Sequence, residues 1–363
     1  MNIAIFAITK NGTELAAKVS RHLLNEGHQV RMFRPGRFPG EGEPFYGPVS
    51  RIVAGEFYRC QGLIFIMALG IVVRLLAPLI KDKRSDPAVV VMDEKGQFVI
   101  STLSGHLGGA NELAQNLAGA FQAIPVITTA TDVHGLPSVD VLARKYALIM
   151  EPFNAVKQVN AALVNGEMVA FCSEFPLPFT PMQGLKLIPW DKLPITRPPG
   201  WLVVITNREI SLPHEKTLFL RPRNLIAGIG CRKEIDPEKI KEALLHALKL
   251  ARRSPTSLRL LATIDLRVQE RGLQQVAREM GIPLVSFSRE QIQSIFSRVK
   301  NLQHSSFVQK RIGVGGVCEP VALLAAAHHA RLILPKTSRE GVTVALAEES
   351  YGWWEQDREV PII

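Results

Sequence analysis

Short apolar runs alternate with amphipathic stretches over the first 130 residues. The runs that predict strands are Ile3–Ile8, His28–Phe33, Gly62–Met67, Ala88–Met92 and Ile124–Ile127. Helical spacing over 10–25 and 109–120 lies between some of these runs, and Asp93–Gly96 predicts a turn that returns residues 97–101 as a hairpin partner. Strands that alternate with helices predict an α/β domain over residues 1–130 with a doubly wound, mostly parallel sheet.

The pattern weakens between residues 131 and 224. Helical spacing is visible over 138–148 and 153–165. A proline-rich stretch follows, with Pro176, Pro178, Pro181, Pro189, Pro194, Pro198 and Pro199. Because proline removes a backbone donor and clashes inside a helix, this stretch excludes long helices and central strands. We predict a small central α/β region of short strands and loops.

Clear alternation returns at residue 225. The predicted strands are Leu225–Ile229, Arg259–Ile264, Pro283–Phe287, Ile312–Val317, Arg331–Leu334 and Val342–Ala347, the last of which closes the sheet. Helices are predicted to begin at Asp236, Gln269 and Glu319. These elements predict a separate C-terminal α/β domain over 225–347, followed by a tail over 348–363.

Composition narrows the class of protein. The 363 residues are 47% hydrophobic and 21% charged, as in a soluble globular protein. No apolar run approaches the ~20 residues that cross a bilayer, so no membrane association is expected. The first residues have the pattern of a strand rather than a signal peptide. Four widely spaced cysteines without a C-x-x-C pair favour a reducing, cytoplasmic location.

The formal net charge of +10 points to an anionic partner. Nucleic acid is not expected, because only 7% of residues are aromatic and the chain contains no basic helix face, RNA-recognition signature or zinc-finger spacing. A small, heavily carboxylated ligand would explain the positive charge as well as nucleic acid would, and it agrees better with the absence of nucleic-acid-binding motifs.

The segment Ser104–Asn111 (SGHLGGAN) carries the strongest chemical signal. His106 lies between glycines where a strand gives way to a helix, and the helix start offers free N–H groups to an anion. A neutral imidazole can take a proton from water; the alternative is a histidine that only caps or packs on the helix. Ser104 and Asn111 could bind a ligand carbonyl, although Ser104 could equally be an N-cap and Glu112 a partner of the helix dipole.

Cations follow the apolar run at 70–80. Lys81, Lys83 and Arg84 could hold an anion, but such clusters are most often solvated loops. Arg74 lies inside the run, which we expect to be a buried helix, and there it needs a carboxylate partner from the protein or a ligand.

The sequence lacks the common motifs for nucleotide binding, metal binding and nucleophilic catalysis. The glycines at 228–230 and 313–316 lack the G-x-G-x-x-G spacing of a nucleotide loop and are better explained as anion-tolerant turns, the first beside Arg232 and Lys233. Cys318 is interpreted as a buried small residue. No metal-ligand spacing, nucleophile elbow or Walker loop occurs, so no protein-bound metal is expected.

Several motifs together resemble the CbiG-type cobalt-precorrin-5A hydrolases of cobalamin biosynthesis. The segments that carry the resemblance are Gly70–Arg74, Ala77-Pro78, Asp86–Glu94, Ser104–Asn111, Gly228–Lys233, Thr263–Asp265, Glu319–Leu323 and Val342–Ala345. The resemblance spans roughly residues 1–347. It implies that the substrate is a cobalt-chelated tetrapyrrole with a δ-lactone and many carboxylate side chains. Water would open the lactone, and acetaldehyde would leave to give cobalt-precorrin-5B.

On this resemblance we assign hypothetical roles to individual residues. His106 would be the general base, and the backbone amides at 108–110 would stabilise the carbonyl oxyanion. The predicted catalytic residues are His106, Glu112 and Ser104. The predicted substrate-binding residues are Arg74, Lys81, Lys83, Arg84, Gly105, Gly108, Gly109, Asn111, Arg232 and Lys233. No cofactor is expected, because cobalt arrives with the substrate.

Two other functions fit the same features. A non-catalytic tetrapyrrole carrier or scaffold for corrin-pathway methyltransferases would bind precursor and product without releasing acetaldehyde. An anion-sensing α/β protein would bind simple polycarboxylates as well as the corrinoid. Sequence cannot separate these, since lactone opening needs only one base and a few hydrogen-bond donors.

Overall fold

The computed structural model describes residues 1–136, 138–176, 185–193, 198–212, 214–299, 302–326 and 330–349. The chain divides into two compact units, residues 1–141 and residues 142–363. The described residues contain sheets of seven, five and five strands, in chain order. The predicted domain boundaries stay predictions, and the predicted tail lies outside the described residues from residue 350 onward.

The N-terminal sheet has the strand order β3-β2-β1-β4-β5-β6-β7. Its strands are β1 (Asn2–Ala7), β2 (Gln29–Pro35), β3 (Glu43–Phe45), β4 (Gly62–Ile66), β5 (Ala88–Met92), β6 (Phe98–Leu103) and β7 (Ile124–Val126). Its helices are α1 (Lys10–Asn25), α2 (Val49–Phe57), α3 (Leu69–Leu76), α4 (Ala110–Phe121) and α5 (Ala130–Val133). Neighbouring strands are parallel except for β5 and β6. The prediction of a mostly parallel, doubly wound sheet is confirmed.

Helices cover both faces of this sheet. Apolar residues of α1 and α4 pack with one face, and those of α2 and α3 pack with the other. The middle strands β4 and β5 are therefore buried at every position, which explains why their sequences are unbroken apolar runs rather than alternating ones.

The reversed direction of β6 places three loops at one edge of the sheet. Leu103, at the end of β6, pairs with Val89, at the start of β5. Strand β7 is parallel to β6 and ends at the same edge. The loops before β5, after β6 and after β7 therefore meet, and they carry most of the predicted site residues.

The central sheet has the order β10-β9-β11-β12-β8. Its elements are α6 (Val139–Lys145), which precedes it, β8 (Leu148–Glu151), α7 (Ala155–Val164), β9 (Val169–Ser173), β10 (Leu185–Ile188), β11 (Trp201–Ile205) and β12 (Thr217–Pro222). The helix predicted over 138–148 is wrong at its end, because Ala147 adopts a left-handed φ of 51° and Leu148 begins a strand. Strand β10, in the proline-rich stretch, lies at the edge of the sheet, where prolines are tolerated.

The C-terminal sheet has the order β15-β14-β13-β17-β16. Its strands are β13 (Leu225–Cys231), β14 (Leu258–Ile264), β15 (Leu284–Phe287), β16 (Arg331–Arg339) and β17 (Val342–Glu348). Its helices are α8 (Pro237–Leu250), α9 (Asp265–Val268), α10 (Arg271–Met280), α11 (Arg289–Arg298), α12 (Ser306–Ile312) and α13 (Cys318–Ala325). Each helix in the described ranges is too short or too polar to span a bilayer.

Two expectations for this domain are wrong. The strand predicted at Ile312–Val317 does not form: helix α12 ends at Ile312, and Gly313 turns the chain with a φ of 80°. Glycines supply no side chains to pack in a strand, so the apolar residues between them line a turn. Strand β17 does not close the sheet but lies inside it, antiparallel to both β13 and β16.

Candidate active site

The loop between β6 and α4 is held in a tight, irregular conformation. Ser104 has a left-handed φ of 55°, and Gly109, the N-cap of α4, has a φ of 88°. A Cβ atom on Gly108 would lie 2.5 Å from the Cβ of Ser104 and 2.8 Å from its carbonyl oxygen. The glycines therefore allow a backbone crossing that no larger residue permits, and this crossing directs His106 toward the loop after β7.

His106 lies between two carboxylates. Its Nε2 is 2.6 Å from Asp132 Oδ2 and 3.2 Å from Thr131 Oγ1. Its Nδ1 is 3.2 Å from Ser138 Oγ and 3.3 Å from Asp140 Oδ2. Both ring nitrogens are thus engaged, and the side chain is only 10% exposed.

This arrangement favours the imidazolium form. Burial on its own lowers the pKa of His106, but hydrogen bonds with Asp140 and Asp132 and the charges of both carboxylates outweigh it, so the pKa is raised above 6.5. The raised pKa works against the neutral base predicted from the sequence and favours a proton donor paired with a carboxylate.

Asn111 connects the two sides of the site. Its buried side chain donates to Thr129 Oγ1 and to Asp132 Oδ2, each at 3.0 Å, and accepts from Ser101 Oγ at 2.6 Å. Asn111 was predicted to bind a ligand carbonyl, but its amide is used to fix Asp132 beside His106.

Asp86 joins the histidine loop to the cationic loop before β5. Its backbone carbonyl accepts from Ser104 Oγ at 2.9 Å, and its carboxylate accepts from the amide of Lys81 at 3.0 Å. The alternative of Ser104 as an N-cap does not apply, because Gly109 occupies that position. The structure therefore brings Lys81, Lys83 and Arg84 to the same sheet edge as His106.

The cations differ in what they contact. The Lys81 ammonium lies 4.7 Å from the centre of the exposed Tyr58 ring. Arg84 Nη2 is 2.7 Å from Asp82 Oδ2, and this guanidinium lowers the pKa of Asp82 to about 2. Arg84 is therefore already neutralised by a neighbour, and Lys81 is the better placed cation for a ligand carboxylate.

The expectation of a buried Arg74 is wrong. Helix α3 buries Val72 and Leu76, while Arg74 is exposed and its Nη1 is 3.5 Å from the carbonyl oxygen of Gly70. Only one side of this apolar helix is buried, and Ile71 and Val73 are exposed as Arg74 is, so the arginine needs no buried carboxylate. Glu112 is likewise exposed, in the first turn of α4.

Two of the three predicted oxyanion donors are already used. The amide of Gly109 donates to the carbonyl of His106 at 3.1 Å, and that of Ala110 donates to Ser104 at 3.2 Å. Within the described part of the chain, Gly108 is the one amide of the three without an acceptor. Arg232 and Lys233 are exposed and belong to the unit formed by residues 142–363.

Sequence reasoning missed Asp132, Ser138 and Asp140. A signal for Asp132 existed: the polar segment 128–132 follows β7 directly, and the carboxyl ends of parallel neighbours such as β6 and β7 meet at one edge. Asp140 had no comparable signal, because it lies at the start of a helix whose position follows only from the fold.

The part of the chain that the structure describes contains no second centre built from metal ligands. Among the described residues, no group of three or more His, Cys, Asp or Glu side chains is arranged to hold a metal ion. Cys318 is buried, as expected, and burial raises the pKa of its thiol to about 11.

Comparison with known proteins assigns a family to the whole chain. Three profiles match in order: cobalamin synthesis G N-terminal (residues 51–132), cobalamin biosynthesis central region (137–222) and cobalamin synthesis G C-terminus (225–347). A cobalt-precorrin-5A hydrolase from Priestia megaterium is 34% identical, with 94% of each chain covered. The cobalt-precorrin-5A hydrolase of Salmonella typhimurium is 36% identical, with 95% of this chain and 97% of the relative covered.

A solved structure also matches. It is a cobalamin biosynthesis protein G homologue from Sulfolobus solfataricus, 21% identical, with a TM-score of 0.41 and coverage of 96% of this chain and 97% of that one. The near-complete coverage by curated relatives and the three consecutive profile matches lead to one conclusion: this chain belongs to the cobalamin synthesis G family of cobalt-precorrin-5A hydrolases.

Proposed function

We propose that the chain hydrolyses the δ-lactone of cobalt-precorrin-5A and releases acetaldehyde, giving cobalt-precorrin-5B. Near full-length identity of 34% and 36% to hydrolases of that name is the observation that carries this proposal. The geometry that supports it is the contact of 2.6 Å between His106 and the more exposed carboxylate of Asp132. A carboxylate paired with an imidazolium can accept one proton and donate another, as hydrolysis requires.

Asp132 is the member of the pair that meets solvent. Its side chain is 30% exposed, against 10% for His106 and 8% for Asp140. Water that attacks the lactone carbonyl passes its proton to Asp132. The ring C–O bond then breaks, and the pair returns a proton to the departing alkoxide. The products are an alcohol and a carboxylic acid, which loses its proton to solvent. His106 acts in both steps through Asp132.

The second bond to break joins the macrocycle to the carbinol carbon. The alcohol proton goes to the same carboxylate, the carbinol carbon becomes the carbonyl of acetaldehyde, and the electron pair stays on the macrocycle, which takes up a proton. No further reactant is needed, so one water molecule enters and one acetaldehyde leaves. Cobalt belongs to the substrate, and the chain requires no cofactor of its own in this scheme.

Substrate carboxylates are held by the cationic loop at the same edge of the sheet. Lys81 supplies positive charge there together with Lys83 and Arg84, and the Arg84 guanidinium is paired with Asp82. The proposal further includes a cytoplasmic location and transfer of the product to corrin-pathway methyltransferases. Arg232 and Lys233 stay predicted contacts for substrate.

The proposal is tested by anaerobic incubation of the purified chain with cobalt-precorrin-5A, trapping acetaldehyde and weighing the corrinoid product. Wild type should release one acetaldehyde per product molecule. Asp132→Asn and His106→Gln should each lower the rate by about 100-fold or more, because each removes a proton-transfer group. Both variants should keep the wild-type circular dichroism spectrum.

His134→Gln is the matched control, because His134 is exposed on the same connection as Asp132 and is not part of the pair. It should turn over at the wild-type rate. Tight binding of substrate without acetaldehyde from the wild-type chain would contradict the proposal and support the carrier function instead. Wild-type rates in Asp132→Asn would overturn the assigned proton path.

A further inference from the structure

The unit formed by residues 142–363 contains an open cavity of about 910 Å³. We call it the Trp190 groove. Its apolar lining is Trp190, Leu193, Ile210, Leu212, Leu245 and Leu248. The volume is at the upper end of the range for small-molecule sites, so the groove has room for a ligand of several fused or linked rings.

A rigid backbone platform forms part of the groove. The segment 207–209 pairs with the turn at 252–254: Glu209 N donates to Arg252 O at 3.0 Å, and Ser254 N donates to Asn207 O at 2.8 Å. These hydrogen bonds fix both segments in one position, so the groove is preformed and a ligand need not order it.

Four cations lie around the apolar lining, and two of them are paired with acidic side chains. Arg208 contacts Glu174 at 2.6 Å and lies 5.9 Å from the centre of the Trp190 ring. Arg253 Nε is 3.5 Å from Glu348 Oε1 and is buried without a hydrogen-bond acceptor among the described residues. Both guanidinium groups are thus held beside the groove by carboxylates that neutralise their charge.

The other two cations have no partner in the described part of the chain. Lys249 and Arg252 are exposed, and neither forms an ion pair or side-chain hydrogen bond there. Glu209 is the one acidic side chain in the lining, set against four basic ones. Because Arg208 and Arg253 are paired, the excess of positive charge beside the apolar floor comes from Lys249 and Arg252 set against Glu209. This combination suits a flat apolar molecule that carries carboxylates on its rim.

We infer that the Trp190 groove is a second binding site, made wholly by residues 142–363, for carboxylated tetrapyrroles. The ligand class rests on the proposed function, because substrate and product both have an apolar macrocycle with acetate and propionate side chains. The macrocycle lies on Trp190 and the leucines, and its carboxylates reach Lys249 and Arg252. The catalytic pair at His106 and Asp132 belongs to the other unit.

Uroporphyrin is a suitable probe, because it has an apolar macrocycle and eight carboxylates but no lactone or cobalt. Titration of the full chain, followed by porphyrin fluorescence anisotropy, should show saturable binding. Lys249→Glu/Arg252→Glu should weaken this binding by at least about tenfold, because charge reversal replaces attraction with repulsion. Leu245→Asp, at an exposed position of the lining, should weaken it to a similar degree.

Arg271→Glu/Arg278→Glu is the matched control, since it makes the same charge change at exposed positions of α10, outside the groove. It should bind uroporphyrin as wild type does. Equal weakening in the control would show that only the overall charge attracts the probe, and wild-type binding by both groove variants would overturn the site. If citrate displaced uroporphyrin at an equal concentration, the proposed role of the apolar macrocycle in binding would be overturned.

The two proposals can fail separately. Titration with uroporphyrin does not depend on lactone opening, and acetaldehyde release does not depend on porphyrin binding. Groove-dependent binding without acetaldehyde would overturn only the hydrolase. Normal acetaldehyde release with unaltered binding by the groove variants would overturn only the second site.

Discussion

The position of His106 between Asp132 and Asp140 makes the stability of the N-terminal unit depend on pH. The folded-state pKa of His106 is raised above its ordinary 6.5. Its charged form therefore stabilises the fold fully below pH 6.5, and this stabilisation is lost as the pH rises through the folded-state pKa. His106→Gln should lower the free energy of unfolding by about 1.5–3 kcal/mol at pH 5.5, and by less at pH 8.5, as measured by urea unfolding.

His134→Gln again provides the comparison, because His134 is exposed. Its unfolding free energy should differ from that of wild type by the same small amount at both pH values. A His106→Gln deficit that grows from pH 5.5 to pH 8.5 would contradict the imidazolium assignment and restore the neutral base predicted from the sequence.

At the scale of the structural element, the conformation of the loop between β6 and α4 depends on Gly108. A Cβ atom there would lie 3.1 Å from the amide nitrogen of Ala88, in addition to its clashes with Ser104. Because these neighbouring atoms belong to the backbone or are attached directly to it, they can move aside only if the backbone shifts. Gly108→Ala should destabilise the unit by about 1–3 kcal/mol and speed hydrogen exchange in peptides covering residues 86–111.

Gly119→Ala is the matched control in the adjacent helix. Gly119 lies in α4, and a Cβ atom added there would meet no atom of the surrounding structure within 4 Å. Alanine at this position should therefore stabilise the helix by about 0.5–1 kcal/mol. If Gly108→Ala exchanged as slowly as wild type, the close crossing at Ser104 would not be what holds His106 in place.

At the scale of the whole molecule, Glu348 links the central and C-terminal sheets within residues 142–363. Its buried carboxylate accepts from Asn207 Nδ2 and Arg331 Nη2, each at 2.6 Å. Burial opposes ionisation, but these hydrogen bonds outweigh it and lower the pKa of Glu348. Glu348→Gln should lower the unfolding free energy of this unit by about 1–3 kcal/mol at pH 7. Tryptophan fluorescence can follow this unfolding, because Trp190 and Trp201, the tryptophans among the described residues, lie in this unit.

The sign of the pH effect is opposite to that of His106. A carboxylate with a lowered folded-state pKa contributes stability above its unfolded value of 4.5, and that stability is lost as the pH falls through the folded-state pKa. The deficit of Glu348→Gln should therefore shrink in acid. Glu340→Gln, which removes a half-exposed contact with Lys239, should cost no more than about 1 kcal/mol at any pH.

Sequence alone determined the elements whose signal is local. Unbroken apolar runs predicted β4 and β5, because strands that are buried on both faces need apolar residues at every position. The turn residues at 93–96 predicted the β5–β6 hairpin, because turn formation depends on neighbouring residues. The same local logic singled out His106 between its glycines. It failed at 312–317, where apolar spacing resembled a strand but glycines at 313, 315 and 316 form a turn.

Only the tertiary structure decided which residues surround His106. Asp132 and Asp140 are 26 and 34 residues away along the chain (132 − 106 and 140 − 106), and they reach the ring because β6 runs against β5 and β7 beside β6. The raised pKa of His106 follows from that packing. The exposure of Arg74 likewise depends on which side of α3 the sheet covers. The energy of a charge interaction depends on the distance between the groups and on their burial, and the order of residues along the chain specifies neither.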